Sequence, residues 1–344
     1  MFPQGARPAP RGPYGPPRHT PPHWRPPRRK SSAGVIVGGL LGLGAFVFAV
    51  LIVGAALANN TRDYEADSPV SRPDGPRGTA EPDGPRGTTD PGDPARPAVR
   101  LDRSLKNNTL YQIGALPKTR CAAGSANIYN SGQLKALIMK TGLCMGRAWK
   151  PRLEQAGIAF TPPKYAIVAR SGRGACGDFP MRGSIVPYYC PSNMTIYAST
   201  SAMASGRGDQ RGYGDLVSWH GGIIGMMAHE YGHHVQQLSG LSQTRWEQSR
   251  RASSESQRLA ISRRFELQAN CLSGMFMRSV SGTYPIPAAR RQNLFYFFSN
   301  VGDWPGYPRD HGSPKNSGAW FRQGWQRQQA YQCNTWSVGS STVS

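Results

Sequence analysis

The run His229-Glu230-Tyr231-Gly232-His233 brings together the residue types and the spacing that metal-assisted hydrolysis needs. On a helix, positions four apart lie on one face a turn apart, so both imidazoles can reach one ion. Glu230 stands beside them as a general base for a water on that ion. A hydrolytic zinc takes three protein ligands and leaves its fourth position to water. The motif class that continues with Gly and His at 236 and 239 is excluded, because those positions are Gln236 and Ser239. The remaining common solution is a carboxylate from a later helix, and Glu266 sits in a suitable apolar run, with Phe265, Leu267, Ala269, Leu272, Met275 and Phe276. The alternative for Glu266 is an ion pair with Arg263 or another arginine, and the unfinished ligand set favours coordination.

His311 is the candidate donor to the oxyanion that forms when a carbonyl is attacked, since Asp310 beside it can fix the imidazole tautomer. A surface Asp-His-Gly turn is the competing account. His234 projects from another face of the helix than the ligand pair and reads as a hydrogen-bonded structural histidine, while Tyr231 reads as packing.

Two helices must position these groups, over about 218–238 and 255–280, the first ended by Gly240. Before them, Ser131 to Gln155 has apolar spacing for one or two helices, broken near Gly142 and Gly146. Short β-rich runs follow at Tyr165 to Ala169, Ile185 to Tyr189 and Met194 to Ala198, the last placed by chain order as the edge strand on which an extended peptide would pair. A tail rich in Trp, Phe and Tyr runs to about Trp336. The expected fold is α+β, predominantly helical, with a small β-sheet.

The first hundred residues are organised differently. Residues 1–32 hold seven basic side chains and no acid and read as a Pro/Arg-rich disordered tail. Residues 33–58 carry no charge and exceed the length needed to span a bilayer. The basic cluster Arg25, Arg28, Arg29 and Lys30 keeps the N-terminus cytoplasmic and puts all that follows outside. Ala56-Leu57-Ala58 would suit signal cleavage, but the apolar run is too long for a signal peptide, so a retained transmembrane helix is expected. Residues 59–100 form a Pro/Gly-rich linker that repeats Pro-Asp-Gly-Pro-Arg-Gly-Thr at 73 and 82, and 101–344 is the folded domain.

The cysteines at 121, 144, 176, 190, 271 and 333 all follow the apolar run, as disulfides in an exported domain would; sequential pairing (121–144, 176–190, 271–333) is expected. The domain carries 28 basic against 11 acidic residues, a net +17. Such a surface suits anionic polymers of a cell envelope; no nucleic-acid motif is present, and the expected location argues against nucleic acid.

Several ordered motifs resemble the neutral zinc metallopeptidase family of bacterial membrane-anchored proteins. They are Cys176-Gly177 with Tyr189-Cys190-Pro191, Ala228 to Gln236, Phe265 to Cys271, His311-Gly312, and Trp320-Phe321 to Cys333-Asn334-Thr335. The resemblance implies a zincin-like fold, Zn2+ as cofactor, Glu266 as third ligand beside His229 and His233, and a peptide or protein substrate. It also implies a partner for a ligand imidazole at position 270, where the family usually has aspartate and this chain has Asn270. The expected protein is a single-pass, membrane-anchored peptidase acting outside the cytoplasm. The rival is a catalytically weak zincin-fold module that binds anionic envelope components.

Overall fold

The structure is a computed structural model that describes residues 100–121, 126–182, 184–206, 218–284 and 288–344. The chain divides into two compact units, Met1–Pro91 and Gly92–Ser344, and the described residues belong to the second. The expected tail, transmembrane helix and nearly all of the linker lie outside them. Among the described residues no helix is long and apolar enough to cross a membrane.

Helix α1, Ser131–Gln155, opens on Asn130, whose side chain accepts from the Gln133 backbone N–H. It runs unbroken through Gly142 and Gly146, contrary to the expected interruption. The two glycines face packed rings instead: a β-carbon at 142 would lie 2.5 Å from the Tyr165 hydroxyl, and one at 146 would touch Phe160 and Tyr231. Tertiary packing here outweighs the roughly 1 kcal/mol per glycine that helix propensity costs.

Strands β1 (Lys164–Val168), β4 (Tyr188–Cys190) and β5 (Thr195–Ser199) form a sheet in the order β1-β5-β4, with β1 parallel and β4 antiparallel to β5. A separate hairpin pairs β2 (Gly172–Gly174) with β3 (Gly177–Phe179). The strand expected at the edge is therefore the central one. β5 is paired on both sides with all five residues buried, and β4 occupies an edge, so chain order was a poor guide to strand order.

After the short helix α2, Thr200–Ser205, come α3, His220–Leu238, and α4, Leu241–Arg251, joined through Gly240 at φ 81°. Helix α5, Glu255–Ser279, is capped by Ser254, α6 spans Ala288–Phe298, and α7, Pro314–Arg327, begins with proline in its first turn. Three disulfides follow the sequential pairing: Cys121–Cys144, Cys176–Cys190 and Cys271–Cys333. The domain is thus α+β and mostly helical, with the main core shared by α1, α3, α5, α6 and α7.

Helices α5 and α7 meet backbone to backbone. A β-carbon on Gly274 would collide with the Phe321 carbonyl, and one on Gly324 with the Cys271 carbonyl. Gly324→Ala is therefore expected to destabilise the domain by about 3 kcal/mol or more, since neither obstacle is a flexible side chain. Gly339→Ala, where a β-carbon meets nothing within 4 Å, should change stability by less than about 0.5 kcal/mol. Urea unfolding midpoints of the two variants make the comparison.

Candidate metal centre

His229 and His233 project from one face of α3, and Glu266 meets them from α5. The two Nε2 atoms are 3.0 Å apart, and Glu266 Oε2 lies 3.2 Å from His229 Nε2 and 3.1 Å from His233 Nε2. Ligands about 2.0–2.1 Å from a tetrahedral zinc are separated by roughly 3.3–3.4 Å, so the triangle already approximates one face of such a site. The structure thus gathers all three residues expected to be ligands.

What turns the imidazoles inward is a pair of carboxamides. Asn270 Oδ1 is 2.8 Å from His229 Nδ1, and Gln236 Oε1 is 2.8 Å from His233 Nδ1. Gln236 spends its amide N–H groups on the Phe265 carbonyl and Gln268 Oε1, and Asn270 donates to Ser317 Oγ. With the amide hydrogens so committed, the oxygens face the rings and each Nδ1 carries the proton. Both Nε2 atoms then converge with a carboxylate oxygen, an arrangement that repels itself unless a shared proton or a metal cation joins it. Gln268 extends the network to the Tyr111 hydroxyl and the Cys333 carbonyl.

Sequence reasoning foresaw Asn270 but missed Gln236, Gln268 and Ser317 as supports. For Gln236 a signal existed: it lies three residues beyond His233, within reach on a helix.

Burial opposes ionisation of Glu266, yet the imidazoles of His233 and His311 outweigh it and hold the carboxyl well below its ordinary range. Burial pushes Glu230 up, and His229 and His233 only partly offset this. Its Oε2 accepts the Tyr189 backbone N–H at 2.7 Å, which ties the group to β4. His234 has the structural role expected. Burial depresses it to about 4, its Nε2–H donates to the Thr161 carbonyl at 2.6 Å, and its Nδ1 accepts from the Tyr189 hydroxyl at 3.1 Å. Tyr231 is buried, as packing requires.

The Asp-His-Gly turn expected as the competing account of His311 is present, and it also brings the imidazole beside the ligand triad. Asp303 accepts the backbone N–H groups of His311 and Gly312 at 2.8 and 2.9 Å, which fixes a turn with Gly312 at φ 83°. That turn puts His311 Nε2 3.8 Å from Glu266 Oε2 while Asp310 accepts at Nδ1, 2.6 Å away. The imidazole stands half-exposed at the lip of the site.

A helix-borne His-x3-His pair completed by a glutamate from a second helix is the donor set of a mononuclear zinc site with an open position. The chain belongs to the family described as "Putative neutral zinc metallopeptidase", whose profile matches residues 114–289, and the family implies zinc. The match includes His229, Glu230, His233, Glu266 and Asn270 and stops before His311. Among relatives, the uncharacterised YpfJ of Escherichia coli (strain K12) is 26% identical over 198 residues, covering 54% of this chain and 66% of its own length. The uncharacterised protein Rv2575 of Mycobacterium tuberculosis (strain ATCC 25618 / H37Rv) is 28% identical over 233 residues, covering 58% of this chain and 70% of its own. No solved structure matches the chain.

Replacing either carboxamide by a side chain of similar size that cannot accept a hydrogen bond tests the support network. Gln236→Leu and Asn270→Leu are each expected to weaken zinc binding about 10–100-fold, measured by competition with a chromophoric chelator. Unchanged affinity in both would show that the imidazoles need no such partners.

Proposed function

We propose that the domain is a zinc-dependent endopeptidase. The observation that carries the reading is the convergence of His229 Nε2, His233 Nε2 and Glu266 Oε2 to within 3.2 Å of one another, with Glu230 next along the same helix. His229, His233 and Glu266 would hold the ion, and zinc so held polarises a carbonyl and acidifies a water.

The rest of the chemistry belongs to side chains. Glu230, its proton affinity raised by burial, takes a proton from the attacking water and delivers it to the leaving amine. The Tyr189 N–H holds one oxygen of that carboxylate and so orients the other. His311, its Nδ1 proton held by Asp310, can in its protonated form also donate from Nε2 to the oxygen on which charge develops.

Glu230→Gln is expected to lower cleavage of a mixed peptide library at least about 100-fold while zinc content stays at one per chain. Full activity in that variant would remove Glu230 from the mechanism. Zinc retention by a wild-type protein that cleaves nothing would favour the binding module, with anionic envelope polymers as its partner. A charge argument supports such a partner: among the described residues only Lys150–Glu154 and Arg173–Asp178 pair a Lys or Arg with a carboxylate, so most of the cationic surface is uncompensated.

The uncharged stretch at residues 33–58 and the basic cluster before it support a single-pass anchor with the domain outside the cytoplasm. External protease on intact cells should then remove the domain from about residue 100 onward. Its complete protection would reverse the orientation.

A further inference from the structure

The cavity at the three donor atoms, about 340 Å³, has both polar and apolar lining. The polar groups include the ligand triad, Glu230, Asp310 and His311. The apolar ones include Met226 from α3, Phe297 and Phe298 from α6, Val301, Val186 and Pro187. No Lys or Arg lines it among the described residues, although the domain carries a net +17. An acidic side chain would find no cation there, and a large apolar one would exchange water for aromatic and aliphatic contact.

The strand beside the cavity adds a second constraint. β4 pairs with β5 along one edge only, and its other edge is free of the sheet. The Tyr189 N–H reaches Glu230, so residue 189 points its backbone groups away from β5. The residues that flank this three-residue strand, Pro187 and Pro191, have no N–H, and the Tyr189 N–H is already engaged by Glu230. The exposed edge therefore offers acceptors only, and a peptide added as a strand would find half its partners missing.

We propose that this site selects its substrate by one large apolar side chain, of the leucine or phenylalanine class, seated against Met226, Phe297, Phe298 and Val301, and not by adding the substrate as a strand to β4. The proposal rests on the peptidase reading and names its substrate class. Rejection of acidic residues follows from the same walls, as does indifference to substrate main chain beyond the seated residue.

Metal-directed ligands test this without turnover. The zinc-loaded full chain in detergent is titrated by calorimetry with acetyl-amino-acid hydroxamates of phenylalanine, leucine, glycine and aspartate, with zinc-free protein as the blank. The phenylalanine and leucine compounds should bind at least about tenfold tighter than the glycine one, and the aspartate compound no tighter than glycine. Extending the glycine compound by two further glycines should gain less than about threefold, because the edge gives its main chain too few partners. Val301→Trp should bring the phenylalanine-to-glycine ratio below about threefold by filling the cavity. Equal affinity across the four side chains, or a tenfold gain from the glycine extension, overturns the proposal and leaves the zinc site standing. Failure of the zinc-loaded protein to bind any hydroxamate sinks the peptidase reading and this proposal together.

Discussion

The geometry of the centre depends on how closely α3 approaches α5. Gly232 lies between the two imidazole-bearing positions, and a β-carbon there would sit 3.1 Å from the Ala269 carbonyl oxygen and 3.2 Å from its α-carbon. Ala269 in turn lies between Glu266 and Asn270. Two small residues, one from each helix, therefore meet at the point where the donors must converge. A larger side chain at either position would spread the donor atoms, and a ligand triangle tolerates little widening before one bond to the ion is lost. The second close pairing, Gly274 and Gly324 between α5 and α7, fixes α5 from its other side, so Glu266 and Asn270 stand on a helix held on both flanks.

This rigidity lets uncharged amides serve in place of a carboxylate. An aspartate facing His229 Nδ1 would add charge to a pocket that already contains Glu230 and Glu266, both buried. Asn270 supplies the same acceptor without that repulsion, and Gln236 does so for His233. Charge-assisted bonds are stronger, so this arrangement gives up ligand basicity. It retains orientation, because both amides are themselves held, by Ser317, Gln268 and the Phe265 carbonyl. Asn270 thus fills the acceptor position facing His229 without adding charge.

How much of this could be read beforehand follows from the range of each signal. The paired histidines were legible because four-residue spacing on a helix is local geometry, and Glu266 because an acid in an apolar helix is costly without a partner. The even cysteine count indicated disulfides but could not choose among the 15 pairings of six cysteines, and the sequential pairing guessed at is the one the structure contains. Gln236 carried a signal in its spacing from His233 that went unused, whereas Gln268 was not legible as a support, since glutamine is common on helices and only the fold shows which way it points. Helix α7 was not foreseen: its glycines at 318 and 324 look like breakers, yet they permit contact with Ser299 and with the Cys271 backbone. The central place of β5 was misread because strand order is a nonlocal property.

Two of the three disulfides adjoin groups that line the centre. Cys190 follows Tyr189, whose backbone holds Glu230 and whose hydroxyl meets His234, and its bond to Cys176 ties β4 to the β2–β3 hairpin. Cys271 follows Asn270 and joins α5 to Cys333, whose carbonyl accepts from Gln268. A strand of three residues has little pairing of its own, and a blunted edge forfeits the support that a further strand would give. The cross-links supply covalently what those local interactions lack, holding β4 over α3 at the height that Glu230 requires. Formation of the disulfides and assembly of the metal centre therefore draw on the same few residues.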